Sequence, residues 1–173
     1  MSGSLINKTS LGFLALSLFV VFLDQASKLW ILDNLALYQD INIFPFFDIT
    51  YVQNPGAAFS FLSDAGGWQR WFFTGIALVI STLLVYWIVK TPTQQKLLLS
   101  SYSLILGGAI GNVVDRISYG YVVDFLHFYY QGWSFPAFNI ADVAISCGAA
   151  LLILEAILDH KKQSGVKAEN IEQ

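Results

Sequence analysis

Residues 71–89 and 97–114 run without one charged side chain for nearly the length a helix needs to cross a bilayer. Crossing roughly 30 Å of hydrocarbon takes about 20 predominantly apolar residues. Residues 140–158 also qualify, with Asp142 near one end and Glu155 near the other. A fourth candidate is apolar over 11–23 and continues into "DQASKLWIL", so it reaches full length only by including Asp24 and Lys28. Charged residues form 12% of the chain, about half the share found in soluble domains, and the mean hydropathy is +0.58. The sequence predicts an integral membrane protein of one domain, 1–173, with spans at about 11–32, 70–89, 97–116 and 137–158.

For the first segment the rival is a cleaved signal peptide with Lys8 as its basic end. No good small-x-small cleavage site follows Leu23. Asp24 and Lys28 also stand at i, i+4 with the acid first, the favourable order for a helical ion pair. A retained helix is the better reading. A net charge of -3 and the lack of any Lys/Arg run argue against a nucleic-acid partner. Cys147 is the single cysteine, so no intrachain disulfide is possible.

Lys and Arg near span ends set orientation. Lys8 precedes span 1, Lys90 and Lys96 lie between spans 2 and 3, and Lys161 and Lys162 follow span 4. The other two loops hold Asp33, Asp40, Asp48, Asp64, Asp115 and Asp124, against Arg70 and Arg116 as the only cations. Both termini are therefore expected on the cytoplasmic side. The outer loops are rich in aromatic residues. The first, 41–62, is also rich in β-branched residues and carries the turn signal Asn54-Pro55-Gly56. The second, 119–138, is denser still in Tyr, Phe and Trp. Both are expected to lie on the outer leaflet as short strands or half-helices, although a belt of anchoring rings accounts for most of these aromatics.

Given this orientation, depth follows from the helical rise of about 1.5 Å per residue. Asn112, Asp115 and Arg116 come at the outer end of span 3, and their spacing puts them on one face. Asn139 and Asp142 occupy one face at the outer start of span 4, Asp24 and Lys28 point outward along span 1, and Asp124 lies in the second loop. Several of these have a plain structural use. Asp24 with Lys28 suits an ion pair steadying span 1, Asn139 suits a helix cap, and Asp115 and Arg116 suit either pairing or a site. His127 reads as a lone interfacial imidazole. The glycines of "GGAIG" permit close helix packing. Asp124 and Asp142 are harder to dismiss, because neither has a basic neighbour within one helical turn and intramembrane acids are expensive.

Two histidines, no HExxH and no Cys/His cluster exclude the usual zinc sites, and no metal or cofactor is expected. A Ser/Lys hydrolase built on Lys28 lacks an evident nucleophilic serine, and Asp24 is placed to keep Lys28 charged. Two carboxylates held close can share one proton. One then acts as base toward water while the other, protonated, polarises an amide carbonyl. That chemistry suits peptide hydrolysis at the membrane edge. An ion-coupled transporter subunit would instead distribute its polar residues through the midplane. A purely structural subunit leaves the convergence of Asp124 and Asp142 unexplained.

"DQASK" (24–28), "NPGAAF" (54–59), "GGAIGNVVDR" (107–116), "VVDF" (122–125) and "FNIAD" (138–142) occur together and in order. With these five motifs, and no departure at any of their positions, the chain resembles the bacterial lipoprotein signal peptidases (signal peptidase II) from span 1 through span 4. The resemblance implies an all-α membrane protein with four transmembrane helices and two aromatic-rich periplasmic loops, the first with some β-strand character. It implies a monomeric intramembrane aspartic peptidase of the bacterial inner membrane, its active site toward the periplasm. Asp124 and Asp142 would be the catalytic pair. Asn112, Arg116 and Asn139 would surround them, Asn54 would belong to the loop that cradles substrate, and Asp24, Lys28 and Asp115 remain structural polar residues. The implied substrates are diacylglyceryl prolipoproteins held in membrane lipid and cut just before the lipidated cysteine, and the implied inhibitors are globomycin-type cyclic peptides. Two acyl chains would anchor that cysteine in the outer leaflet, at about 0.8 kcal/mol per buried CH₂, which is the depth inferred for Asp142.

The Lys/Arg asymmetry makes a topological prediction. Reporter fusions after Lys162 and between Lys90 and Lys96 should report cytoplasm, and fusions in either aromatic loop should report the outside. A C-terminal reporter active only in the periplasm would invert the assignment.

Overall fold

In hydrocarbon a free backbone amide finds no water, so a spanning segment satisfies its own polar groups as a helix. The computed structural model describes residues 8–56 and 67–169, and all four expected spans are helices in it. They are α1 (Lys8–Asn34), α2 (Gln69–Lys90), α3 (Lys96–Ser118) and α4 (Ile140–Glu169). Four strands join them: β1 (Asp40–Phe44), β2 (Phe47–Asn54), β3 (Val122–Tyr130) and β4 (Trp133–Ser134). Residues 57–59 of the "NPGAAF" motif, Asp64, and residues 170–173 lie outside the described residues.

Helix α3 is central. In its apolar stretch 56% of residues are buried, against 28%, 22% and 17% in α1, α2 and α4, whose outer faces are left for lipid. Small residues make this possible. A Cβ on Gly107 would lie 2.7 Å from Val20 Cβ and 2.8 Å from the Ser17 carbonyl of α1. One on Gly108 would collide with the Ala141 carbonyl of α4, and one on Gly111 would stand 2.5 Å from Asp24 Oδ2. The "GGAIG" stripe thus lets α1 and α4 approach α3 at backbone distance. Ser17 donates to the Ser103 carbonyl at 2.9 Å across the α1–α3 seam. Leu84, Ile88, Leu99 and Leu106 form one core between α2 and α3, and Ile31, Leu35, Tyr51, Val123 and Phe125 form another between the end of α1 and the sheet.

The strands make one antiparallel sheet in the order β1-β2-β3-β4. The first loop supplies β1 and β2, the strand character expected of it, and the second, expected as short strands or half-helices, supplies β3 and β4. Val123, Phe125 and Leu126 of β3 pack against the end of α1. Helix α4 starts at Ile140, where the uninterrupted apolar run begins. Residues just before it serve the sheet: Phe138 bridges to Leu126, its amide donating to the Leu126 carbonyl at 3.1 Å. Beyond 158 the helix continues to Glu169.

The amides of both Phe125 and Leu126 donate to the Phe138 carbonyl, at 2.9 and 2.8 Å. Two residues facing one is a β-bulge, which re-aims the side chains that follow it. The β2–β3 register slips at the same level, between Ile49 and Val52.

Gly108→Leu should lower the thermal unfolding temperature in detergent by several degrees, as overpacking of about 1–3 kcal/mol predicts. Gly75→Leu, where a Cβ meets nothing within 4 Å, should leave it nearly unchanged. Equal effects of the two would mean that the α3–α4 approach is not tight.

Candidate active site

Lys28 is 1% exposed, and its ammonium makes three short contacts. Asp24 Oδ2 lies at 2.8 Å, Asp115 Oδ2 at 2.9 Å, and Asn112 Oδ1 at 3.0 Å. These use all three donors of the group. Each carboxylate is satisfied further. Asp24 Oδ1 accepts the Ala141 amide of α4 at 2.8 Å, and Asp115 Oδ2 accepts the Val123 amide of β3 at 3.0 Å. The amide of Gln25 donates to Asp115 Oδ1 at 2.8 Å, to the Gly111 carbonyl at 3.1 Å and to Asp24 Oδ2 at 3.2 Å. One buried cluster therefore ties α1 to α3, to the start of α4 and to the start of β3.

Asn112 carries the cluster outward. Because its Oδ1 faces the ammonium, its Nδ2 must point away, and it donates to Asp142 Oδ1 at 2.9 Å. The same logic fixes two more asparagines. Asn139 stands just before α4 with its Oδ1 accepting the Asp142 amide at 2.9 Å, while Asp142 Oδ2 accepts the Asn139 amide at 3.3 Å, a reciprocal helix cap. Its Nδ2 is left to donate to Asp124 Oδ1 at 2.6 Å. Asn54 closes a turn by accepting the Gly56 amide on Oδ1 at 3.0 Å, so its Nδ2 donates to Asp124 Oδ2 at 2.9 Å. Three side-chain amides, each oriented by a donor on its oxygen, present N–H groups to the buried carboxyl of Asp124 and the half-buried one of Asp142.

Asp124 is 2% exposed on β3, and both Asp124 and Asp142 line one cavity of about 330 Å³ with Asn54, Phe138, Val143 and Cys147. A larger apolar groove of about 570 Å³ between α1, α2 and α3 contains no ionisable group. Chemistry, not size, therefore chooses between them. Burial, reinforced by the negative charge of Asp142, pushes the Asp124 carboxyl up to about 7, although the Asn54 and Asn139 amides act the other way. At neutral pH this carboxyl is poised between its two forms.

Arg116 crosses the back of the site. Its Nη2 donates to the Gly56 carbonyl at 3.0 Å and its Nη1 to the Asn112 carbonyl at 3.3 Å, with the guanidinium 5.7 Å from the Phe73 ring centroid. Its buried Nε has no partner among the described residues, and Arg116 shares a second cavity wall with Asp142 and Asn112.

The residues singled out in the sequence thus come together. Asp124, Asp142, Asn54, Asn112 and Asn139 form one hydrogen-bonded set, and Asp24, Lys28 and Asp115 form the cluster that adjoins it through Asn112. Gln25 was missed as a bridge, although it sits within "DQASK" and its i, i−1 neighbour is Asp24. His127 is not lone, since its Nε2 is 2.7 Å from Ser134 Oγ.

Residues 16–158 match the family profile described as Signal peptidase (SPase) II. The chain is 52% identical over 160 residues to a lipoprotein signal peptidase of Alteromonas mediterranea, covering 92% of this chain and 88% of that one. It is 57% identical over 138 residues to one of Shewanella woodyi, covering 80% and 78%. Among solved structures, a bacterial membrane enzyme determined by the in meso method superposes with a TM-score of 0.79 at 33% identity, covering 87% of this chain and 90% of the other.

Lys28→Met should destabilise the protein strongly, on the order of 3–5 kcal/mol, because it leaves two buried carboxylates without their cation. Adding Asp24→Asn and Asp115→Asn to Lys28→Met should recover part of that loss. Thermal unfolding of the purified variants checks this; a triple variant no better than Lys28→Met would deny the charge argument.

Proposed function

The chain belongs to the signal peptidase II family, and on that premise we propose that Asp124 and Asp142 are its catalytic pair. The protein is a lipoprotein signal peptidase, an aspartic peptidase that removes prolipoprotein signal peptides. Its substrates carry diacylglycerol on the cysteine that follows the cut, and the acyl chains hold that cysteine at the membrane edge. The bacterial inner membrane is the compartment, with both termini cytoplasmic and the site toward the periplasm, as the Lys/Arg distribution supports. Globomycin-type cyclic peptides occupy the same cavity. The observation that carries this reading is the pair of carboxyl groups on separate elements, Asp124 buried and Asp142 half-buried, facing one cavity and held by neutral amides.

Neutral donors matter because the mechanism needs a carboxyl able to gain and lose a proton. A direct ion pair would lock it ionised. With one proton shared by the pair, the ionised carboxylate takes a proton from water as the water oxygen bonds to the scissile carbonyl carbon. The protonated partner gives its proton to the carbonyl oxygen, producing a neutral tetrahedral diol. Collapse returns a hydroxyl proton to one carboxylate while the amide nitrogen takes a proton from the other, and the C–N bond breaks. The acid and the amine leave, and the pair again holds one proton. Asn54, Asn112 and Asn139 orient the two carboxyl groups throughout. Arg116 braces the turn that carries Asn54.

Asp124→Asn and Asp142→Asn should each abolish cleavage of a diacylglyceryl prolipoprotein while leaving folding intact, and the two losses should not add. Wild-type kcat/KM should fall as pH rises through the Asp124 step, about 7, because the shared proton is then lost. A folded Asp142→Asn enzyme with near-normal turnover would remove the dyad from the mechanism.

A further inference from the structure

Asp124 lies at the junction of two cavities of opposite character. They share Asp124, Phe135, Pro136 and Ala137. The first, described above, continues along α4 past Val143, Ser146 and Cys147, within a membrane-spanning helix. The second, about 290 Å³, crosses the open face of the sheet past Thr50, Val52, His127 and Ser134 to Tyr38 and Asp40. The β-bulge at Phe125 and Leu126 builds this second arm. Strict alternation would put residues 124 and 127 on opposite faces, and the extra residue brings His127 onto the face of Asp124.

We infer that the polar arm holds the polypeptide that follows the lipidated cysteine, and that Asp40 makes it selective for the charge of that segment. The inference rests on the peptidase reading above and deepens it. A prolipoprotein has an apolar signal helix and two acyl chains on or before the cysteine, and a water-soluble chain after it. Only the arm along α4 lies at hydrocarbon depth. Apolar groups therefore occupy that arm and the soluble chain leaves by the other. The chain that leaves is extended, since it crosses a face of a sheet whose strands are themselves extended.

Asp40 sets the charge of the exit. It pairs with Thr50 on the edge strand, and Val52, two residues on, pairs with Asp124. Two strand spacings of ~4.8 Å and an offset of two residues place Asp40 about 12 Å from Asp124, the reach of about three or four extended residues. No Lys or Arg lines this arm. A cation at the third or fourth residue after the cut is attracted by Asp40, and a carboxylate there is repelled. Asp40 is exposed, so the effect is moderate and salt-sensitive.

Synthetic diacylglyceryl peptides that differ only at the third and fourth positions after the cut, carrying Lys, Ser or Asp, test this with purified enzyme in detergent. At low ionic strength kcat/KM should fall in the order Lys, Ser, Asp, with about three- to five-fold between the extremes. The ratio should shrink toward one in high salt. Asp40→Lys should invert the order, and Asp33→Lys, an equal change in net charge at the end of α1, should leave the wild-type ratio in place. A ratio of one in the wild type, or one that Asp40→Lys does not move, overturns the assignment of Asp40. Failure to cleave any of the three peptides would instead overturn the peptidase reading itself.

Discussion

Everything near the outer end of this bundle depends on one buried cation. Lys28 is enclosed within a membrane-spanning segment, where an uncompensated ammonium would cost several kcal/mol. Its compensation comes from α1 itself through Asp24 and from α3 through Asp115 and Asn112. Those same acids then accept backbone amides from Ala141 and Val123, the residues next to Asp142 and Asp124. The ion cluster is therefore a fixture that sets where α4 and β3 begin. Replacing it with apolar residues could pack as well, but it would lose those two backbone anchors.

Between this cluster and the proposed dyad stands one neutral side chain. Asn112 accepts from Lys28 and donates to Asp142, so the lysine orients the carboxyl without pairing with it. The distinction decides what Asp142 can do. A salt bridge would hold it ionised, whereas an amide donor leaves it able to exchange a proton. Asn54 and Asn139 treat Asp124 in the same way. Strong ionic fixing below and neutral hydrogen bonding above keep a rigid site chemically responsive.

The sheet solves a separate problem, that of delivering an acid from a loop. A loop aspartate at the membrane edge would sample many positions. Asp124 is instead held within β3, between the Val52 pairing on one side and the Phe138 bridge beside it. The glycine stripe on α3 contributes at the same level, because Asp24 reaches Ala141 only where Gly111 leaves room for its carboxylate.

Much of this was legible in the sequence. Span number and approximate limits follow from apolar length, because hydrocarbon thickness leaves a helix little choice. The meeting of Asp24, Lys28, Asn112, Asp115, Asn139 and Asp142 at one depth follows from rise per residue and the alternation of span direction. Side-chain pairing across elements did not follow. The i, i+4 spacing of Asp24 and Lys28 is visible in one helix, but Asp115 as a second acid for Lys28 needs the α1–α3 contact. That the second loop pairs with the first in one sheet did not follow either, because its aromatics suit an interfacial belt equally. The bulge that turns His127 toward Asp124 depends on one carbonyl, that of Phe138, taking two amides. Sequence by itself determined which polar groups share a depth, since covalent rise along a helix is fixed. Only tertiary structure decided which of them touch, since that depends on how closely glycine-bearing helix faces approach.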